Sequence, residues 1–298
     1  MLRAIPVLAA AAAITLALIP VQWISVALKL RSRRSIPVLY HRMLCALIGI
    51  RIREVGERVR EHPLLVVANH CSWLDVPVIT AAAPVVFVAK REVAGWPVFG
   101  LLARLQRSVF VDRERRHKTG EVNAQIAQRL AEGDPVVLFG EGTSSDGNRV
   151  LPFRSALIGA ARDALAEAAY TRLHGLPIGR LHRPLVAWYG GMDLMPHLIR
   201  VLGQGAFDVV LTWGEPVAYE AQTDRKAVAK SLECTVRRLT TAALRHRPAD
   251  RSAAGHSFLP GKPVREAPDR EQGMTEALEL VEMHREPERP GSASTQAA

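Results

Sequence analysis

The sequence predicts an α/β protein: a mixed, largely parallel sheet with helices on both faces, preceded by an N-terminal membrane helix. Three observations predict it. From about Pro63 onward, short continuous apolar runs alternate with stretches of helical period. Of the 298 residues, 48% are hydrophobic and 23% charged, which supplies a large core and excludes wholesale disorder. The third is Ala4 to Leu28, a run without a single charge.

As a helix, that run would be about 37 Å long, against a hydrocarbon core of about 30 Å. Pro6 and Pro20 fall inside it and Gln22 is its most polar member. The segment therefore either spans with a bend or lies shallowly at the interface. Its flanking charges are lopsided: Arg3 precedes it, and Lys29, Arg31, Arg33 and Arg34 follow. That bias places the rest of the chain on the cytoplasmic side. A cleaved signal peptide carries its charge ahead of the apolar region, not behind it. Ile36 to Ile50 holds Tyr40, His41 and Arg42, is too short and polar to span, and reads as an amphipathic helix.

The elements follow in order. Leu64-Leu65-Val66-Val67-Ala68 is apolar throughout, as a strand buried on both faces is. A helix is expected over about Ser72 to Ala82, a strand over Val85 to Ala89, and a helix from there to Arg104. Val109 to Val111 reads as a short strand. Lys118 to Glu132 is an amphipathic helix with Val122, Ile126 and Leu130 four apart. Asp134-Pro135 ends it, and Val136 to Phe139 is the next strand. Ala156 to Ala169 reads as helix, Leu185 to Tyr189 and Val209 to Trp213 as strands, and Ala221 to Arg245 as a long helix. After about His246 the composition turns to Pro, Gly, Ser, Glu and Arg. A largely disordered tail is expected there, with Thr275 to His284 as one helical piece. The organisation is thus residues 1–50 as membrane-associated helices, 51–246 as the α/β domain and 247–298 as the tail.

Lys and Arg number 39 against 29 Asp and Glu, a formal net charge of +10 that calls for an acidic partner. An anionic membrane surface, a phosphorylated substrate or an acidic carrier would serve. Nucleic acid fits poorly, because the basic residues are not interleaved with stacking aromatics. Cys45, Cys71 and Cys234 are far apart and form no C-x-x-C pair, which excludes a disulfide scaffold and a zinc ribbon and fits a reducing compartment. There is no G-x-S-x-G elbow, no phosphate-cradling G-x-x-x-x-G-K-[ST] loop and no G-x-G-x-x-G turn. The histidines are not spaced as metal ligands, so neither metal nor cofactor is expected.

The densest chemical signal is Asn69-His70-Cys71-Ser72-Trp73-Leu74-Asp75, which begins where the first buried strand ends. In open α/β sheets the reactive crevice lies outside the carboxyl ends of the strands. On one continuous helix His70 and Asp75 would stand about 140° apart. They meet only if His70 is in the loop and Asp75 reaches back from the first helical turn. That is the geometry of a histidine base held in one tautomer by a carboxylate. The same residues also fit a capping box, Ser72-x-x-Asp75, with an acid favoured at a helix start. Cys71 reads as a small buried thiol rather than a nucleophile. A second signal is Phe139-Gly140-Glu141-Gly142-Thr143-Ser144-Ser145-Asp146-Gly147, again just past a strand, where glycines allow close backbone approach and Glu141 could accept from a substrate hydroxyl. Alone it also fits an ordinary capped turn. A third is Lys90-Arg91-Glu92, with Trp96-Pro97-Val98-Phe99-Gly100 beyond it.

Taken together these segments resemble the lysophosphatidic-acid acyltransferase family of bacterial membrane-associated enzymes. Asn69-His70-x-x-x-x-Asp75 resembles its first block, whose His and Asp form the catalytic pair. Lys90 with Pro97 and Gly100 resembles the second block, associated with acceptor binding. Phe139-Gly140-Glu141-Gly142-Thr143 is similar to the third, usually Phe-Pro-Glu-Gly-Thr. The resemblance covers roughly residues 36 to 220. It implies acyl transfer from acyl-carrier protein or acyl-CoA to a lysolipid hydroxyl at the cytoplasmic face of the inner membrane. His70 and Asp75 would be catalytic; Asn69, Lys90, Arg91, Glu141, Gly142, Thr143, Ser144, Arg149 and Arg154 would bind substrate. Transfer would be direct, with backbone amides near Glu141-Gly142 or at the start of the Ser72 helix holding the oxyanion. Arg104, Arg107, Arg113, Arg115, Arg116 and Lys118 would suit anionic lipid and an acidic donor.

Two departures stand out. An Arg commonly follows the Thr of the third block and holds the acceptor phosphate; here the position is Ser144, with Arg149 or Arg154 as replacements. The residues Ser145 to Phe153, Thr171 to Pro177 and Trp188-Tyr189-Gly190 resemble the branch that acylates lyso-ornithine lipid, which carries no phosphate. Second, the family's fourth block is an apolar strand, whereas Ile158 to Thr171 reads as Ala-rich helix. A missing strand is the ground for the alternative, a non-catalytic membrane-anchored lipid-binding protein on the same fold.

Overall fold

The structure, a computed structural model, describes residues 2–60, 63–112, 119–155, 162–174, 176–217 and 224–245. Its organising element is β2 (Leu64–Ala68), buried at every residue. Leu64, Val66 and Ala68 enter one hydrophobic cluster, and Leu65 and Val67 enter another on the opposite face. Continuous aliphatic sequence suits such a strand, because both its faces are covered. β5 (Val136–Phe139) and β6 (Arg162–Leu173) flank β2 in parallel. β3 (Val86–Lys90) pairs parallel with β5, and β4 (Val109–Val111) parallel with β3. On its other side β6 runs antiparallel to β8 (Phe207–Val217) and to the two-residue β7 (Leu176–Pro177), and β1 (Ile50–Val55) closes that edge parallel to β8. The order is β1-β8-β6-β2-β5-β3-β4, with β7 beside β6.

One face carries α1 (Ala4–Ala27), α2 (Ser32–Ile48), α3 (Asp75–Ala82) and α6 (Leu194–Gln204), which contribute Val7, Cys45, Ile79 and Val201 to the first cluster. The other carries α5 (Thr119–Ala131) and α7 (Arg225–Leu244), with Val122, Ile126 and Leu130 packed beside Val228, Leu232 and Val236. Ile126 and Leu232 are wholly buried, each stabilising the fold by about 1.5–3 kcal/mol. α4 (Phe99–Leu105) lies beside α1.

α1 is long and apolar enough to cross a membrane by length and composition. Both its ends are fastened to the α/β domain. At its start Arg3 donates to the carbonyls of Leu202 (2.6 Å) and Ile48 (2.7 Å). Near its end Gln22 donates to those of Leu105 (2.8 Å) and Arg33 (3.0 Å). Midway, the Thr15 and Tyr40 hydroxyls share a 2.9 Å hydrogen bond with α2 as partner. The outer side of α1 exposes Ile5, Leu16, Trp23 and Ile24.

Four sequence expectations need correcting. The Ala-rich stretch expected as helix from Ala156 is, from Arg162 on, the central strand β6. Alanine's helix preference is worth only a few tenths of a kcal/mol per residue. It is outweighed here by ladders on both edges, while the small side chains let α7 pack closely. The fourth-block strand is therefore present, which removes the ground for the non-catalytic alternative. Leu185 to Tyr189 is not a strand: Arg183–Leu185 forms a 3-10 turn. The backbone after it pairs with the loop following β2, Trp188 N–H donating to Cys71 O (2.8 Å). β1 and α6 were not expected. β1 alternates Ile with Arg, an exposed edge strand in which charge hides the pattern. In α6 the burial of His197, Leu198, Val201 and Leu202 reveals a helical stripe behind an early proline. The tail expectations, and Arg113, Arg115, Arg116 and Lys118, lie outside the described residues.

Candidate active site

β2, β3 and β5 are parallel, so the loops that leave them emerge at one edge of the sheet and bring the three sequence signals together. Ala68 lies beside Phe139 in the ladder, and Gly140 N–H donates to Ala68 O (3.0 Å). Just past β2, the Asn69 side chain continues the pairing with β6. Its Nδ2 donates to Ala168 O (3.0 Å) and its Oδ1 accepts from Ala168 N–H (3.0 Å). Asn69 is thus spent on holding the loop to the sheet, and it is buried.

His70 follows in the loop, and Asp75 opens α3. His70 Nδ1 stands 2.8 Å from Asp75 Oδ2. A carboxylate only accepts, so Nδ1 carries a proton, and in the neutral imidazole this leaves the lone pair on Nε2. The imidazole stacks on Phe139, with ring centroids 4.0 Å apart and planes 17° apart. Its side chain keeps 19% exposure, while that of Asp75 has none. Asp75 is held from every side. Oδ2 also accepts from the amides of Cys71 (2.8 Å) and Ser72 (3.0 Å), and Oδ1 accepts from the Tyr170 hydroxyl (2.8 Å). The His-Asp pair is realised together with half of the capping box: the one carboxylate serves the Ser72 amide and the imidazole, while the Asp75 amide donates to Ser72 O (3.1 Å) and not to its hydroxyl. Ser72 itself donates to Val186 O (2.7 Å).

Glu141 is 2% exposed. Its Oε1 accepts from His70 N–H (2.7 Å) and its Oε2 from Leu151 N–H (2.8 Å). Both oxygens are committed to main chain, so the expectation that Glu141 meets a substrate hydroxyl is corrected: it sits beneath the site and clamps the two loops. Burial raises its pKa to about 7, against the pull of those two amides. The Ser145 amide and hydroxyl both donate to His70 O (2.8 and 3.2 Å), a second clamp. Gly140 stands where the family commonly has proline. A Cβ there would lie 2.7 Å from the Phe153 ring, so that ring fills the space. Gly142 has φ +68°, and a Cβ on it would meet Arg154 Cδ at 2.9 Å. Arg154 therefore lies across the glycine.

Thr143, Arg149 and Arg154 are exposed, and Ser144 is half-buried. Lys90 and Arg91, at the carboxyl end of β3, are exposed on the same edge, Lys90 paired with Glu92 (2.9 Å) and Arg91 with Asp112 (4.0 Å). The Cys71 and Ser72 amides are taken by Asp75, and Gly142 N–H donates to Phe139 O (3.0 Å), so these three amides are already committed. Arg107 is not part of a basic surface: it is buried and paired with Glu132 and Asp134.

Burial drives the Cys71 thiol well above its usual range, with Asp75, Glu141 and Glu167 adding to the effect. It is an inert thiol. Tyr170 is likewise held in its neutral form, chiefly by burial. Glu167, on β6 and wholly buried, is raised by burial to about 8, with the Thr212 and Thr240 hydroxyls pulling the other way. Tyr170 and Phe139 are the site residues that sequence reasoning missed. Tyr170 stood at the margin of a stretch read as helix, where nothing aims it at Asp75.

A family profile described as Acyltransferase matches residues 50–179, which span all of these segments. Over 255 residues the chain is 50% identical to the lyso-ornithine lipid O-acyltransferase of Brucella abortus (strain 2308), covering 82% of this chain and 96% of that protein. The chain belongs to the acyltransferase family. A second relative, the lyso-ornithine lipid O-acyltransferase of Rhizobium meliloti (strain 1021), is 46% identical over 81% of this acyltransferase and 86% of its own length. The crystal structure of the 1-acyl-sn-glycerophosphate (LPA) acyltransferase PlsC from Thermotoga maritima shares the fold, with a TM-score of 0.53 and 21% identity over 74% of this chain and 84% of that one. The acyltransferase thus places its His-Asp pair, Glu clamp and basic residues on one sheet edge, and it is an acyl-transferring enzyme.

Proposed function

We propose that this acyltransferase moves a fatty acyl group from an acyl-carrier protein or acyl-CoA thioester to the free hydroxyl of lyso-ornithine lipid. The observation that carries the acceptor is the 50% identity to a protein named for that reaction, over 96% of its length. Ser144 supports it. A phosphate-binding Arg would give a charge-assisted, bidentate contact, whereas a serine offers one neutral donor. A zwitterionic amino-acid lipid loses less by that exchange than a phosphate-bearing one.

His70 and Asp75 are the catalytic pair in this reading. Nε2 of His70 takes the acceptor hydroxyl proton as the oxygen attacks the thioester carbonyl. The tetrahedral intermediate collapses, the carbon–sulfur bond breaks, and the imidazolium returns the proton to the departing thiolate. Asp75 holds the tautomer and steadies the imidazolium; Phe139 fixes the ring plane. Asn69, Glu141 and Ser145 are positioning residues that set the height of His70 through its main chain. Lys90, Arg91, Arg149 and Arg154 are the cations that receive the anionic parts of acceptor and donor, with Gly142, Thr143 and Ser144 at their side.

The enzyme works at the cytoplasmic face of the inner membrane, with residues 1–50 as its attachment. Because α1 is tied to the α/β domain at Arg3 and again at Gln22, it lies along that domain with its apolar side in one leaflet rather than crossing. The deciding assay gives the purified protein, in vesicles, equal amounts of lyso-ornithine lipid and lysophosphatidic acid with either donor. Lyso-ornithine lipid should be acylated at least as fast, and Ser144→Arg should shift the preference towards the phosphate acceptor. Acylation of lysophosphatidic acid alone, abolished by Arg149→Ala or Arg154→Ala, would overturn the acceptor assignment.

A further inference from the structure

A cleft of about 260 Å³ opens at the opposite edge of the sheet from His70. Its walls come from the segments that lead into β2, β3 and β5, and from Arg34 at the start of α2. β2 alone separates it from the catalytic edge, a five-residue strand of about 16 Å. The chemistry proposed for His70 makes no use of it.

Three arginines line the cleft, Arg34, Arg58 and Arg60, and among the described residues no carboxylate does. Arg34 pairs with Asp134 (2.6 Å), and Arg58 gives one N–H to Ala82 O. Among the described residues no carboxylate pairs with Arg58 or Arg60. Behind the wall, Glu54 accepts from Trp213 Nε1 (3.0 Å), and two further acids are shared among arginines. Glu132 and Asp134 between them face Arg33, Arg34, Arg107 and Arg129. Four guanidiniums thus share two carboxylates, and Arg58 and Arg60 add their charge at the cleft, a local field that draws an anion. The floor is of another kind: Val59, Leu64, Val66, Val85 and the buried Trp213. A bare anion would leave that apolar surface wet, and a neutral lipid would leave the guanidiniums unmatched. An arginine rim over an apolar floor suits a phosphate attached to carbon chain.

Arg34 also ends the basic turn Lys29, Arg31, Arg33, Arg34 that joins the two apolar-faced helices. Cations next to an apolar helix attract anionic headgroups. We propose that the cleft is a second lipid site, which takes the phosphate of an anionic phospholipid on Arg34, Arg58 and Arg60 and its first carbons on Val85 and Trp213. It is an anchoring site, separate from the acceptor site, and its assignment does not depend on which lysolipid the enzyme acylates.

The test measures binding of short-chain phosphatidylglycerol to the full chain in neutral detergent, beside short-chain phosphatidylcholine and inorganic phosphate. Phosphatidylglycerol should bind at least tenfold more tightly than either. Arg58→Gln with Arg60→Gln should weaken it at least tenfold and leave acyl transfer in detergent unchanged. If the double variant fails to fold, Arg60→Gln alone, at an exposed side chain, should weaken binding several-fold. Arg149→Gln with Arg154→Gln should leave the binding intact. Equal binding of inorganic phosphate, equal binding of phosphatidylcholine, or loss of binding in the Arg149/Arg154 variant instead of the Arg58/Arg60 variant would each overturn the proposal.

Discussion

Tyr170→Phe removes one oxygen atom from beneath the His70–Asp75 pair. The ring is 5% exposed and would stay in place, so no cavity opens. What is lost is the 2.8 Å hydrogen bond from the hydroxyl to Asp75 Oδ1. A hydrogen bond to a charged group is worth about 1.5–3 kcal/mol. The lower part of that range applies, because Asp75 keeps His70 and the Cys71 and Ser72 amides as donors. A loss of about 2 kcal/mol corresponds to roughly 4–8 °C in Tm for a domain of this size. The imidazole keeps its own bond to Oδ2, so kcat should fall only about three- to tenfold, with KM unchanged. Thermal melting and product quantification by mass spectrometry give the two numbers. A Tyr170→Phe enzyme with native Tm and native rate would refute the reasoning, since Oδ1 would not then depend on Tyr170. So would a rate as low as that of a His70 deletion, because the remaining donors would have failed to hold Asp75.

Two further outcomes are expected. Cys71→Ala should stay within about threefold of native activity, because burial holds that thiol in its unreactive protonated form; a folded but inactive Cys71→Ala protein, with no acyl transfer detected by mass spectrometry, would revive a covalent mechanism. Glu167 is raised from 4.5 to about 8 in the fold, so the folded state binds the extra proton between those values and stability falls as pH rises through that window. Glu167→Gln should flatten the decline in Tm between pH 5 and pH 8 and be at least as stable as native at pH 8; parallel curves would contradict this.

Much of the fold was legible because its signals are local. The run Leu64 to Ala68 read as a doubly covered strand, and the four-residue spacing of Val122, Ile126 and Leu130 gave α5 within a residue at each end. β6 was not legible. An Ala-rich segment is helical by intrinsic preference, and what makes it a strand is the pair of neighbours it meets across the sheet. The site divides the same way. His70 and Asp75 were readable from a five-residue spacing beside a strand end. Glu141 was readable as important but not as buried, since the amides it serves, at His70 and Leu151, come from two different loops. Tyr170 gave no signal at all, being 95 residues from Asp75.

The central claim is that Nε2 of His70, aligned by Asp75, removes the acceptor proton. Its most direct measurement is the acyl-transfer rate of His70→Ala with lyso-ornithine lipid in vesicles, beside its Tm. General-base catalysis contributes about 10²–10⁴-fold, so the account predicts a rate lower by at least a hundredfold in a protein that melts within a few degrees of native. A folded His70→Ala enzyme that retains activity within a few-fold of native would contradict it.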